Sequence, residues 1–241
     1  MKKRSQSVNV KHRKISFGDF QTETIGISVK KILIEVPTRE TKMLTRGKYK
    51  MSFTSSSLRR RESAIIADLF LRLSDWDAVC NEVLSQNILQ LNTVSSQKRI
   101  FSEIKLRLKH LSHSELQVLA TNDPSDGEII LWLAICRCYK FIGEFAKEVI
   151  HEKYESFQKT VEVCDYDLFF EKKSILHPEL TELTNSTQAK LRQVVFKLLR
   201  ESNIIGRNNE ILAAYFSPAV FQLFTAEDCG NFPTNQYGAL Q

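Results

Sequence analysis

Glycine and proline are scarce in this chain, 8 and 5 among 241 residues, too few to supply the turns of a sandwich or barrel built from many short strands. Long helices are favoured instead. Paired cysteines are also missing, because Cys80, Cys136, Cys138, Cys164 and Cys229 are odd in number and irregularly spaced, which excludes a disulfide framework or a zinc ribbon. Such thiols suit a reducing compartment. No long apolar run occurs: the longest, Ile129 to Cys136, is bounded by Glu128 and Arg137 and falls far short of the roughly 20 residues a bilayer span needs. The opening Met-Lys-Lys-Arg has none of the apolar character of a signal peptide, so a cytoplasmic protein with no membrane partner is expected.

Catalytic signatures are missing as well. The scattered glycines form neither a Walker pattern nor a dinucleotide fingerprint. His12, His110, His113, His151 and His177 provide no i,i+4 ligand pair, and Cys136 and Cys138, two residues apart on a helix, point to different faces. No nucleophile can be paired with a base. Asp165, Asp167 and Glu171 are the one set that could gather magnesium, but capping and the helix dipole are the favoured explanation for acids at a helix start. The expectation is a non-enzymatic protein with no cofactor and no metal.

What the chain does have is apolar substance, 42% hydrophobic and 10% aromatic, enough for a real core. Its net charge of +6 is unevenly laid out. Residues 1–61 hold about 16 Lys or Arg against about 4 acids, which leaves the remainder mildly acidic. Affinity for nucleic acid must therefore come from the N-terminal segment or from local stripes. Residues 1–48 show one β-like run, Ile25 to Val36, and no helical period; they read as a basic, flexible extension or as an upstream stretch outside the native protein.

From Ser57 the pattern is helical. Ser74 with Asp77 suggests a capping box for a helix through Leu84, and Ser112 with Glu115 a second. The turn around Asn122 to Gly127 divides an N-terminal helical unit, 49–122, from a C-terminal one, 123–241. Glu128 to about Glu152 reads as the central helix or helix pair. Asp165 is expected to cap a helix through Phe170, Pro178 to open a short one to Leu183, Glu210 to Phe216 and Pro218 to Phe224 to form small helices, and the tail from Glu227 to be loose.

Two helices carry basic outer stripes. In Ser96 to Leu111, Lys98, Arg99, Ser102, Lys105 and Lys109 lie away from the apolar face of Ile100, Phe101, Ile104 and Leu108. In Thr187 to Glu201, Lys190, Gln193, Lys197 and Arg200 lie away from Leu191, Val194, Val195, Leu198 and Leu199. Each follows a shorter helix and a polar connector, the order of a helix-turn-helix whose second helix enters the major groove. The second connector is the shorter and fits better. Solvated faces have the same composition, so the stripes alone leave both readings open.

Tyr49-Lys50-Met51-Ser52-Phe53-Thr54, Arg61-Glu62-Ser63, Ser95-Ser96-Gln97-Lys98-Arg99-Ile100, Glu103-Ile104 with Arg107-Leu108, and Cys136-Arg137-Cys138-Tyr139 with Glu144-Phe145 resemble the BrxA family, a core component of bacteriophage exclusion (BREX) defence systems. Asp165-Tyr166-Asp167, Glu179-Leu180, Ser186-Thr187 and Lys190-Leu191-Arg192-Gln193-Val194-Val195-Phe196 continue the resemblance in the same order, so that it spans about Tyr49 to Ile211. The resemblance implies an all-α, compact multi-helix fold with two helix-turn-helix-like units, double-stranded DNA and other BREX components as partners, and no catalytic activity. A monomer is the expected state. A protein-protein adaptor that never touches DNA is the alternative.

Overall fold

Apolar residues at three- and four-residue steps wind into α1 (Arg60–Leu73), which buries Ile66, Ala67 and Leu69. The computed structural model describes residues 47–54, 57–121 and 123–236; the Ile25 to Val36 run lies outside them. α1 ends at Ser74, whose φ of 54° is left-handed, and α2 (Trp76–Ser85) starts at once. Its cap is Asp75 rather than Ser74: the Asp75 carboxylate accepts the N–H groups of Asp77 and Ala78 at 3.3 and 2.9 Å. Ser74 cannot cap because it already closes the preceding helix. α3 (Val94–Leu108) follows, and α1, α2 and α3 pack pairwise into a three-helix array.

α4 (His113–Ala120) opens on the expected Ser112/Glu115 capping box and lies against α1. α5 (Pro124–Cys138), with Pro124 in its first turn, is the centre of the molecule: Ile130 to Ile135 are at most 1% exposed, and the Trp132 indole N–H donates to the Asn231 carbonyl at 2.8 Å. The helices on both sides of residue 122 share one hydrophobic core.

The stretch to Glu152, expected as a helix or helix pair, is interrupted at Tyr139, and α6 (Lys140–Phe145), a π-helical turn (Ala146–His151) and α7 (Glu152–Glu155) continue it. Glycine is required at 143, where a Cβ would come within 2.8 Å of the Cys136 carbonyl oxygen. α8 (Val163–Ser174) is capped at Glu162, not Asp165; Asp165 sits three residues inside, and its carboxylate accepts the Glu162 N–H at 2.6 Å. α9 (Pro178–Thr181) and α10 (Asn185–Glu201) follow, with Thr184 as the cap of α10.

No helix forms over Glu210 to Phe216. There the backbone bonds outward, Ile211 N–H to Lys159 and Leu212 N–H to Ile204, because the turn at Gly206 to Glu210 folds the segment back into isolated bridges Thr160 to Glu210 and Ile205 to Ile211. α11 (Pro218–Phe221) is a turn shorter than expected. The chain after Glu227 is not loose up to residue 236: α12 (Ala226–Cys229) has its own capping box at Thr225, and Phe232 is fully buried against Phe216 and Phe224, with ring centroids 5.1 and 5.7 Å apart. The described residues are all-α, with no sheet.

Candidate nucleic-acid interface

Thr93 starts α3 by accepting the Ser96 N–H at 3.1 Å, and Gln97, Ile100, Phe101, Ile104, Arg107 and Leu108 face inward. Lys98, Arg99, Ser102 and Lys109 are exposed, and the three cations have no ion-pair partner among the described residues. Lys105 behaves differently. Its side chain is only 24% exposed; Nζ lies 3.4 Å from the Asp77 carboxylate and 5.9 Å from the ring centroids of Trp76 and Phe101. The stripe read as continuous is thus interrupted by a lysine that staples α3 to α2.

On α10, Lys190 and Gln193 are exposed and have no partner among the described residues. Lys197 lies 3.6 Å from Glu201, and Arg200 donates to the Asn209 side chain at 2.6 Å while its guanidinium covers the Phe196 ring at 5.7 Å. The four-residue α9 precedes it through residues 182–184, and the Gln188 side-chain amide donates to the Leu183 carbonyl at 3.0 Å, which fixes the short connector. α10 was the stronger candidate in the sequence. Counted by unpaired cations, α3 offers more.

The links between these two helices have no signature in the sequence. The Glu201 carboxylate at the end of α10 accepts the Ser57 hydroxyl at 2.9 Å and the Leu58 N–H at 2.6 Å. From α3, the Arg107 guanidinium, 1% exposed, donates to the Ser57 carbonyl at 2.7 Å and pairs with Glu103. Ser57 therefore bridges both basic helices. A second strap holds Tyr49: its N–H donates to Glu179 at 2.8 Å, its hydroxyl donates to Glu144 at 2.5 Å, and its ring lies against His177. Partners separated by 50 to 144 positions leave no local pattern to read.

Electrostatics near the site follow from these contacts. His110, just past α3, has its pKa lowered by burial and by the nearby charges of Lys50 and Arg137, so it is a neutral ring at pH 7. Burial raises the Glu144 carboxyl, but hydrogen bonds from Lys173 and Tyr49 outweigh it and hold the group below its usual value. The possible cation ligands do not converge. Asp165 pairs with Lys153 at 2.7 Å, Asp167 with Arg192 at 2.7 Å, and Glu171 is exposed on the other side of the helix from the core. No metal-holding cluster occurs among the described residues.

The BrxA family model matches residues 47–228, three quarters of the chain. The chain belongs to the BrxA family. It is 27% identical over 176 residues to the BREX protein BrxA of Escherichia coli O9:H4 (strain HS), a match covering 71% of this chain and 83% of that protein. The BREX protein BrxA of Bacillus cereus (strain H3081.97) is 28% identical over 127 residues, 53% of this chain and 64% of the relative. A crystal structure of an uncharacterized protein from Magnetospirillum magneticum superposes with a TM-score of 0.64 at 21% identity, covering 73% of this chain and 91% of the other, which establishes a shared fold. Family membership and the helical architecture agree with the resemblance in the motifs. Among the described residues no helix is long and apolar enough to cross a membrane.

Proposed function

We propose that this protein is a non-enzymatic, cytoplasmic DNA-binding component of a BREX anti-phage system, and that it contacts the backbone of duplex DNA through the outer faces of α3 and α10. The observation that carries the reading is the set of exposed cations without an ion-pair partner among the described residues, Lys98 and Arg99 on α3 and Lys109 just past its end, on a helix that packs against α1 and α2. Lys190 and Gln193 on α10 add a second contact, and Ser102 supplies a hydroxyl among the α3 cations. Ser57, bonded to both helices, supports their acting as one surface. Membership of BREX supports other components of the system as partners.

Fluorescence anisotropy on a labelled duplex over a salt series tests this. Each neutralised phosphate contributes a slope of about −0.9 in log K against log salt, so parent protein is expected to show a steep negative slope. Changing Lys190, Lys197 and Arg200 to Ala should reduce it while the melting transition is kept. Absence of duplex binding at low salt, combined with retention of another BREX protein in a pull-down, selects the adaptor reading instead.

A further inference from the structure

α8 has two apolar faces where a surface helix has one. Inward it buries Tyr166, Phe169 and Phe170. Outward, Cys164, Leu168, Glu171 and Ile175 recur at steps of four, three and four residues, the spacing of a helix-pairing seam about three turns long. Leu168 is 65% exposed and Ile175 81%. Of the eight large exposed hydrophobics among the described residues, five (Phe157, Val163, Leu168, Ile175 and Leu176) fall within this one stretch of chain. Phe157 holds its ring in solvent from a left-handed backbone, φ 58°, a conformation a bulky residue adopts only at a cost. Beside the seam lies an open groove of about 410 Å³ between α8 and the π-helical turn with α7; Leu168 forms a wall shared by both. Clustered exposed apolar side chains of this kind mark an interaction surface.

Charge decides what covers it. In the groove Lys153 is bound to Asp165 and Lys172 to Glu148, which leaves Glu152 and, in the middle of the seam, Glu171 with no basic partner among the described residues. A second copy of this chain fits poorly. Antiparallel pairing sets Glu171 of each copy against Leu168 of the other, and parallel pairing sets Glu171 against Glu171, so either way carboxylates are buried without compensation. We propose that the outer face of α8 and its groove receive an amphipathic helix of a different protein, one whose apolar stripe is flanked by Lys or Arg. This docking does not depend on DNA binding.

The test uses the full chain and two synthetic helical peptides, both with Leu at heptad spacing, one flanked by Lys and the other by Glu. Cys164 is the exposed cysteine at the edge of the seam, so its alkylation by iodoacetamide, followed by mass spectrometry, reports occupancy. The Lys peptide is expected to slow that alkylation at least five-fold and the Glu peptide not at all. Leu168→Asp with Ile175→Asp should abolish the protection, and the milder Leu168→Gln should weaken it, with circular dichroism unchanged because both side chains are exposed. Glu171→Lys should transfer the preference to the Glu peptide. Equal protection by the two peptides, protection by duplex DNA instead, or a parent dimer in sedimentation that Leu168→Asp dissociates, each overturns the proposal.

Discussion

α3 and α10 show the same alternation of apolar and basic residues, yet the fold uses their cations differently. On α3, Lys105 and Arg107 are drawn inward as structural links, and Lys98, Arg99 and Lys109 stay free of partners among the described residues. On α10, the basic residues of the last turns are engaged, Lys197 with Glu201 and Arg200 with Asn209, and Lys190 alone is an exposed cation without a partner among the described residues. A basic stripe is therefore a mixture of staples and free charges. Only the free ones are available to a phosphate without first giving up a contact.

The difference between the two helices depends most strongly on Arg107. Removing this buried guanidinium strands Glu103 and the Ser57 carbonyl, and Arg107→Ala is expected to cost about 3 kcal/mol in urea denaturation. A loss below 1 kcal/mol contradicts its role as the α3 anchor. Lys105→Ala should cost about 1 kcal/mol, from its ring contacts and its exposed partner Asp77, and leave the salt slope of duplex binding unchanged. A drop in slope by a full phosphate contact would return Lys105 to the binding face. Lys197→Ala removes a half-exposed i,i+4 pair and is expected to shift stability by only about 0.3–0.5 kcal/mol.

The smallest effect is a pH dependence that should be missing at one residue. Because its folded pKa is lowered, His110 stays neutral below the pH where an ordinary histidine gains its proton. The sign follows from linkage: the unfolded chain binds that proton first, so this group favours unfolding as pH falls through 6.5, and the effect fades as pH rises above it. Parent and His110→Ala should thus show the same change in duplex affinity between pH 7.5 and 6.5, and a difference above two-fold contradicts the neutral ring.

Much of the fold was legible because it is written in short periods. The run from Ile129 to Cys136 reads as core and is core, and Ser112 with Glu115 reads as a capping box and forms one. What stayed hidden depends on partners far along the chain. Lys105 turns inward because Trp76 and Asp77 lie beside it, and Glu201 meets Ser57 across 144 positions. Glu210 to Phe216 has helical composition, but its backbone bonds are taken by Lys159 and Ile204. The outer residues of α8 read simply as helix, since a sequence does not say which of two apolar faces remains uncovered.

Whether free cations rather than whole stripes determine duplex binding is decided by two triple variants measured side by side over one salt series. Changing Lys98, Arg99 and Lys109 to Ala should reduce the slope by about 2.7, three phosphate contacts, while changing Lys190, Lys197 and Arg200 to Ala should reduce it by about 0.9, the one contact of Lys190. Equal reductions, or a larger one for the α10 variant, would mean that the engaged cations Lys197 and Arg200 bind phosphate as well as the free ones do.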